Sequence, residues 1–289
     1  MKSRVLTALA LIPPVIYLIG WAPLWLFLPV LLLVVERSLY EYFLIARGAG
    51  FETFPALGYI AGAAACLAPV ANLYRPGPWL PAFILLALLL TLSLGLVWTR
   101  DLRHYLGAAA ATLFGILYLG LTLALLVPLR FGDPPRRADV IPAKGGPLAS
   151  LGAGGRLMLF LFLVIWAGDI FAYLIGRSLG RHHFVPRISP KKTVEGALGG
   201  LAGSLLIGWA FACAFAETAD WKTVILLAGL IAVAGQVGDL VESAMKRGAD
   251  LKDSGSLLPG HGGLLDRIDS LIFAAPVLWL ALMIRGVWR

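Results

Sequence analysis

Apolar stretches separated by short polar connections run along the whole chain. Most of them are close to the roughly 20 residues with which an α-helix crosses a bilayer. They predict helices over about residues 5–20, 23–43, 55–73, 79–98, 104–128, 156–178, 196–216, 222–246 and 267–287. The predicted fold class is therefore all-α: a polytopic integral membrane protein with about nine transmembrane helices.

Polar residues are distributed unevenly between the two halves of the chain. The first five helices carry almost no charge in their apolar runs, apart from Glu36, Arg37 and Glu41. We interpret these three as side chains that snorkel from one end of the second helix. Residues 1–130 are assigned to N-terminal transmembrane helices that form a scaffold and a lipid-facing surface. Residues 131–155 are assigned to an extracytoplasmic loop, and residues 156–289 to a C-terminal transmembrane catalytic region.

The composition supports the membrane class. Apolar residues make up 60% of the chain and charged residues 14%, whereas soluble domains are about half apolar. The basic start and apolar run of residues 1–20 are typical of a signal peptide, but no small-residue cleavage site follows, so we expect an uncleaved first helix. Cys66 and Cys213 lie in apolar runs, which indicates buried packing residues and gives no disulfide framework.

The net charge of +8 does not require a nucleic-acid partner. In membrane proteins Lys and Arg collect in cytoplasmic loops and near anionic headgroups. Residues 177–192 form the most basic connection, and we therefore place them in the cytoplasm. Alternation of the helices then puts the connections near Arg47, Arg100 and residues 247–266 on the same side, and residues 131–155 on the opposite one.

A first polar group lies within the sixth predicted helix. Trp166, Asp169, Tyr173 and Gly176 are three or four residues apart, and so share one helix face. An ionised carboxylate near the bilayer centre costs about 2.5–3.5 kcal/mol on insertion scales. We expect Asp169 either to make an interhelical hydrogen bond or to face the cavity of a site.

A second group, residues 189–196, leads directly into the seventh predicted helix. A Ser or Thr followed by Glu is a typical N-terminal capping pattern. The free N–H groups and partial positive charge of a helix N-terminus bind phosphate well, and two lysines precede this one. A simple basic anchor would need only those lysines. The candidate phosphate-binding residues here are Ser189, Lys191, Lys192, Thr193 and Glu195.

A third group ends the eighth predicted helix. Helical spacing aligns Gln236, Asp239, Ser243 and Lys246 along one stripe, with Glu242 beside it. Two carboxylates and a hydroxyl at the end of an apolar helix are typical ligands of a hard cation such as Mg²⁺. The alternative is a set of salt bridges with the basic residues that follow.

The densest charge in the chain lies between Ser243 and Asp269. Acidic pairs, basic residues and a glycine loop together are typical of metal-assisted phosphoryl or nucleotidyl transfer. His261, between glycines, is a catalytic candidate, with a hydrogen-bonded structural role as its alternative. The remaining candidates are Arg247, Lys252, Asp253, Gly262, Gly263, Asp266, Arg267 and Asp269.

These residues resemble the motif of the phosphatidate cytidylyltransferases, also called CDP-diacylglycerol synthases. The family pattern of Ser, Lys-Arg, Lys-Asp, His-Gly-Gly, Asp-Arg and a final Asp is matched by Ser243, Lys246, Arg247, Lys252, Asp253, His261, Gly262, Gly263, Asp266, Arg267 and Asp269. The group at residues 189–196 is also similar to the family. The specific resemblance covers roughly residues 166–270.

The resemblance implies an enzyme that transfers CMP from CTP to phosphatidate and releases pyrophosphate, with Mg²⁺ and room for a second cation. It implies metal ligands among Asp239, Asp266, Asp269, Asp253 and Glu242, and catalytic roles for Asp239, Asp266, Asp269, Lys246 and His261. CTP or the lipid headgroup would be bound by Ser189, Lys191, Lys192, Thr193, Glu195, Arg247, Lys252, Gly262, Gly263, Arg267 and Asp169. The expected location is the bacterial inner membrane, with the site on the cytoplasmic side; a homodimer is left open.

Two other functions compete with this one. A CTP-dependent lipid kinase, similar to dolichol kinase, would share CTP and the apolar helices but release CDP. An ion or metabolite transporter would use Asp169 and Asp239 as an ion pathway, but the charge is concentrated at one face rather than through the midplane. A purely structural membrane protein would leave the charged cluster of residues 243–269 unexplained.

Overall fold

The structure is a computed structural model that describes residues 12–132, 150–214, 220–257 and 262–287. His261 and most of the predicted 131–155 loop lie outside these ranges, so the roles predicted for them stay predictions. The described chain is almost entirely helical, which confirms the predicted all-α membrane class.

The helices follow the apolar stretches closely. They are α1 (residues 12–20), α2 (Leu24–Gly48), α3 (Pro55–Tyr74), α4 (Trp79–Trp98), α5 (Leu102–Phe131), α6 (Ala153–Leu179), α7 (Val194–Ala214), α8 (Trp221–Gly248) and α9 (Leu265–Val287). Within the described ranges, seven helices are long and apolar enough to cross a membrane. The protein is an integral membrane protein.

Two short strands were not predicted from the sequence. β1 (His183–Val185) and β2 (Ser189–Thr193) form an antiparallel hairpin between α6 and α7, with His183 opposite Thr193 and Val185 opposite Ser189. The candidate lysines Lys191 and Lys192 therefore lie on a strand that runs straight into α7.

The chain divides into two compact units. The first consists mainly of Pro23–Pro128 and Ala244–Ile268, and the second of Pro13–Ala22, Leu129–Ser243 and Asp269–Arg289. Both α8 and α9 therefore contribute residues to each unit. The candidate residues are accordingly divided into two groups, which are described separately.

In the first unit, aromatic side chains of α2 pack against small residues of its neighbours. The ring of Phe43 fills the space over Gly58 of α3, where an added Cβ would collide with it. Tyr42 packs against Gly115 of α5 and donates a hydrogen bond to the carbonyl of Ala111 at 2.8 Å. These contacts fix the C-terminal half of α2, which carries Glu41.

In the second unit, α6 and α7 pack as an antiparallel pair through small residues. Gly168, Ala172 and Gly176 recur at every fourth position of α6 and face Ser204, Gly200 and Gly196 of α7. The hydroxyl of Ser204 donates to the carbonyl of Val164 at 2.9 Å. Small residues at this spacing let helix backbones approach closely, as in many membrane helix pairs. The close pair fixes the position of the β1–β2 hairpin that joins the two helices.

The same unit holds α8 against both α7 and α9. The amide of Gln236 donates to the carbonyl of Ala197 at 3.0 Å, while Gly238 lies against the backbone carbonyl of Asp269. Any side chain at position 238 would collide with that carbonyl. Because Gly238 precedes Asp239, the close contact brings the Asp239 turn of α8 beside the Asp269 turn of α9.

Candidate active site

The hairpin lysine and the α8 carboxylate form an ion pair in the second unit. Lys192 Nζ lies 2.6 Å from Asp239 Oδ2, and both side chains are about one-third exposed, at 30% and 33%. The hydroxyl of Ser243 lies one turn further along α8, 3.4 Å from Asp239 Oδ1. The predicted phosphate-binding segment and the predicted metal ligand are thus in direct contact, although they are 47 residues apart in sequence.

The start of α7 is capped as the sequence predicts. Thr193 Oγ1 accepts a hydrogen bond from the N–H of Gly196 at 3.1 Å. The neighbouring Glu195 faces the residues just before β1, where it accepts from the N–H groups of Arg181 and His182 and pairs with the His182 ring at 2.6 Å. Thr193 and Glu195 therefore shape the hairpin, while Lys192 pairs with Asp239 and Lys191 is exposed.

Other carboxylates of the second unit differ in exposure. Glu242 on α8 is fully buried, whereas Asp169 on α6 is exposed. Asp269 accepts a hydrogen bond from the N–H of Ser270 at 2.6 Å. The exposed face of α6 continues toward Tyr173, whose hydroxyl accepts from Arg177 at 2.9 Å. Asp169 and Tyr173 lie on the same exposed face, as the spacing predicts.

In the first unit, Asp266 is the centre of a second charged group. Lys246 Nζ lies 2.6 Å from Asp266 Oδ1, and the two side chains are only 11% and 7% exposed. Asp266 also accepts from the backbone N–H groups of Ser254, at 3.0 and 3.2 Å, and Gly263, at 2.8 Å. These donors surround a carboxylate at the start of α9, where the helix dipole also favours negative charge.

Glu41 is the functional candidate that the sequence interpretation missed. Its side chain is fully buried and accepts from the N–H of Leu264 at 3.1 Å, the N–H of Leu265 at 2.8 Å and the hydroxyl of Ser254 at 2.9 Å. Arg37 completes the set with an ion pair at 3.1 Å. The snorkelling interpretation is wrong for Glu41, because its carboxylate faces the interior of the unit.

A signal for this role was present in the sequence. A carboxylate in a membrane helix is costly, so it requires a partner or a polar cavity. Glu41 has a basic residue four positions earlier, at Arg37, but no other local hydrogen-bond donor for the remaining lone pairs of its carboxylate. The partners that satisfy it come from a segment more than 200 residues later, and nothing in the local pattern identifies them.

Three glycines near the carboxylates of Glu41 and Asp266 leave no space for a side chain. A Cβ on Gly263 would collide with Ser254 Oγ and Glu41, and one on Gly255 would come within 2.9 Å of Glu41 Oε1. Gly262 has a φ of +82°, a conformation that glycine adopts readily, and lies against Asp266. The N–H of Gly263 donates to the Asp266 carboxylate, so it does not point toward an external ligand.

The remaining charged candidates lie on the surface of the first unit. Arg247, Lys252, Asp253 and Arg267 are exposed. Arg247 donates to the carbonyl of Leu251 at 2.9 Å and so fixes the turn that follows α8. These side chains present positive and negative charge to solvent next to the buried Lys246–Asp266 pair.

The donor set suits Mg²⁺, although the carboxylates do not form a complete cage. Within the part of the chain that the structure describes, no three His, Cys, Asp or Glu side chains come together in a way that could hold a metal ion. Mg²⁺ commonly takes only one or two protein carboxylates and fills its other positions with water and phosphate oxygens. The neighbouring Asp239 and Asp269 turns supply oxygen donors of that kind.

Comparison with known proteins gives a match that spans the chain. The model of the "Cytidylyltransferase family" matches residues 2–285. The chain belongs to the cytidylyltransferase family. This confirms the resemblance predicted from the motif of residues 243–269 and extends it over the N-terminal helices, where the sequence has no recognisable motif.

Curated relatives of this cytidylyltransferase include three proteins named phosphatidate cytidylyltransferase. The one from Synechocystis sp. is 33% identical over 267 residues, which cover 88% of this chain and 87% of that protein. Those from Bacillus subtilis and Brucella abortus are 44% and 42% identical over 129 and 166 residues. These shorter matches cover 45% and 57% of this chain and about half of each relative, 48% and 54%.

Proposed function

We propose that this member of the cytidylyltransferase family is a phosphatidate cytidylyltransferase. It transfers CMP from CTP to phosphatidate and yields CDP-diacylglycerol and pyrophosphate, a step of phospholipid synthesis. The observation that carries the proposal is the similarity to the Synechocystis protein of that name over nearly the full length of both chains. The ion pair between Lys192 and Asp239 supports it, because it joins a basic hairpin to a carboxylate in one cluster.

The reaction needs no protein nucleophile. A phosphate oxygen of phosphatidate attacks the α-phosphorus of CTP, the bond from that phosphorus to the bridging oxygen breaks, and pyrophosphate leaves with the electron pair. The protein's contribution is then to position two polyanions and to stabilise their charge. Lys191 and Lys192 on the hairpin are candidate cationic groups for the phosphates. In the first unit, the exposed Arg247, Lys252 and Arg267 are further candidates.

Asp239 and Asp269 are the proposed holders of Mg²⁺, with Asp266, Asp253 and Glu242 as further candidates. When bound, Mg²⁺ would neutralise part of the triphosphate charge and polarise the reacting phosphoryl group. Lys192 pairs with Asp239 and would be placed beside a phosphate bound at this carboxylate.

The proposed location is the cytoplasmic face of the bacterial inner membrane. CTP reaches the site from the cytoplasm, and phosphatidate enters from the inner leaflet. The basic hairpin and the exposed basic residues of the 247–267 segment would favour both anionic substrates. Whether two copies associate as a homodimer stays a prediction.

Product analysis tests the proposal directly. Protein purified in detergent is incubated with CTP labelled in the cytidine, phosphatidate and Mg²⁺. A cytidylyltransferase places the label in a lipid and releases pyrophosphate in equal amount. A CTP-dependent lipid kinase would instead release labelled CDP and leave the lipid without cytidine, and that outcome would reject the proposal.

A further inference from the structure

Arg37 and Glu41 of α2 have no role in the chemistry described above, yet hydrogen bonds link them to the start of α9. This link runs from Arg37 and Glu41 on α2 through Ser254 to Asp266 and Lys246, and we name it the Glu41–Asp266 network. Ser254 joins its two carboxylates, since its hydroxyl donates to Glu41 at 2.9 Å and its N–H donates to Asp266 at 3.0 Å. All of these residues belong to the first unit.

We propose that Glu41 is a positioning residue for the nucleotide chemistry, a role that rests on the function proposed above. Its carboxylate touches no reacting atom. It holds Ser254, Leu264 and Leu265 against α2, and thereby fixes Asp266 and Lys246 in the geometry that the motif needs. The N-terminal helices are in this respect part of the catalytic apparatus and not only its scaffold.

The burial of Glu41 argues for this role over a simple stabilising one. An ionised carboxylate with no exposed surface is tolerated only when several donors satisfy it. Glu41 has two backbone N–H donors, a hydroxyl and a guanidinium. Three of these four come from Ser254, Leu264 and Leu265, after α8 and at the start of α9. A residue that merely stabilised α2 against its helical neighbours would have its partners on α3 or α5.

The geometry of the glycines points the same way. Gly255 and Gly263 lie so close to Glu41 that a Cβ at either position would meet its carboxylate. The space around Glu41 therefore holds its carboxylate and the hydrogen-bond donors, but no side chain at position 255 or 263. Displacing the Glu41 carboxylate removes the acceptor of the Leu264 and Leu265 N–H groups, which lie two residues and one residue before Asp266.

The test is the nearly isosteric substitution Glu41→Gln in the full-length protein in detergent. The amide keeps the size of the side chain but places N–H groups where the carboxylate accepts hydrogen bonds. We expect kcat per folded molecule to fall by about tenfold or more, since a misplacement of about 1 Å can cost up to a hundredfold. Hydrogen exchange at the amides of Ser254, Leu264 and Leu265 should become faster.

Leu39→Ala serves as the stability-matched control. Leu39 is fully buried on the same helix, two residues before Glu41, and it packs against Gly62 of α3. This variant should lower Tm at least as much as Glu41→Gln, yet keep the wild-type kcat per folded molecule and the wild-type exchange at the three amides. If Leu39→Ala reduced kcat equally at equal Tm, the role of Glu41 would be structural only and the proposal would be overturned.

A second variant tests the path of the effect. Ser254→Ala removes the hydroxyl that joins Glu41 to the loop, so its loss of kcat should not add to that of Glu41→Gln in the double variant. Fully additive losses would contradict a shared path. If the wild-type protein transferred no cytidylyl group at all, the proposed function would fail. The positioning role would be overturned by a different result: unchanged hydrogen exchange at the amides of Ser254, Leu264 and Leu265 in Glu41→Gln.

Discussion

At the scale of single residues, the Asp239 and Asp269 carboxylates are expected to be essential for turnover. Asp239→Asn and Asp269→Asn each remove the negative charge that a divalent cation requires but keep the side-chain volume. We expect each variant to lose CTP-dependent turnover while it stays folded and extractable in detergent. Pyrophosphate release and the elution profile in detergent measure the two properties.

Asp101→Asn is the matched control for these two variants. Asp101 caps the start of α5 by accepting from the N–H of Arg103 at 3.0 Å, and Asn caps helices about as well as Asp. The same change of one oxygen to an amide should therefore leave activity and Tm unaltered. Near-normal turnover in both Asp239→Asn and Asp269→Asn would refute the proposed metal ligands.

A second prediction at this scale concerns Gly263. Gly263→Ala introduces a Cβ that collides with Ser254 Oγ and with the Glu41 carboxylate. Overpacking of this kind costs about 1–3 kcal/mol, and here it also displaces the segment that carries Asp266. We expect lower Tm and reduced turnover, measured by thermal unfolding in detergent and by liponucleotide formation.

Gly248→Ala is the counterpart of that variant. Gly248 ends α8, and a Cβ there meets no atom within 4 Å. The substitution should leave both Tm and turnover close to wild type. Equal behaviour of Gly263→Ala and Gly248→Ala would show that the close contact with Glu41 and Ser254 has no energetic consequence.

Some residues of the site could be predicted from the sequence, because charged side chains are unusual in the apolar helices of a membrane protein. Asp239, Lys192 and Asp266 each stand out as charges beside apolar runs, and charges in such positions require partners. Their pairing partners were not predictable, because helical periodicity fixes a face but not what packs against it. Glu41 was misinterpreted for this reason: its local neighbours are compatible with an exposed end of a helix.

At the scale of secondary structure, the helices could be predicted because the bilayer sets their length. Among the described residues, the helices from α2 to α9 have ends within a few residues of the predicted ones. The β1–β2 hairpin could not be predicted in the same way. Its second strand, Ser189–Thr193, contains a proline and two lysines and lacks the alternation that marks a half-buried strand.

The α6–α7 pair gives the prediction at this scale. A Cβ on Gly200 would lie 2.9 Å from the carbonyl oxygen of Gly168 and 3.0 Å from the Cβ of Ala172. Backbone atoms cannot move aside cheaply, so Gly200→Ala should separate the helices and lower the free energy of unfolding by about 1–3 kcal/mol. Thermal unfolding in detergent measures the change.

Gly229→Ala on α8 is the comparison for the helix-pair prediction. A Cβ at Gly229 would meet only Leu205 at 3.6 Å, an ordinary contact. Replacement of glycine within a helix by alanine also improves helix propensity by about 1 kcal/mol, so this variant should be at least as stable as wild type. A Gly200→Ala protein as stable as Gly229→Ala would rule out close α6–α7 packing as a source of stability.

At the scale of the whole molecule, the composition of the two compact units was not apparent in the sequence. The first unit takes up Ala244–Ile268 together with Pro23–Pro128, although more than 100 residues separate these segments. Hydropathy orders the helices along the chain but does not say which of them pack together. The Glu41–Asp266 network is the chemical reason why the charged segment belongs with α2.

Membrane orientation is the last prediction, and it follows from the alternation of helices around a cytoplasmic hairpin. Within the first unit, the connection after α2 and the segment after α8 should face the cytoplasm, and the connection between α3 and α4 should face the opposite side. Glu52, Ser256 and Arg75 are exposed representatives of these three segments. Single cysteines introduced there in a Cys213→Ser background, which removes the exposed native thiol, report their side by reaction with a membrane-impermeant maleimide.

In intact cells we expect Arg75→Cys to react, and Glu52→Cys and Ser256→Cys to react only after the membrane is permeabilised. The native Cys66 is fully buried, so the Cys213→Ser parent should remain unlabelled throughout. Reaction of Ser256→Cys in intact cells would place the charged segment outside the cytoplasm. It would then be separated from CTP by the membrane, and the proposed cytoplasmic site would have to be abandoned even if the isolated protein were active in detergent.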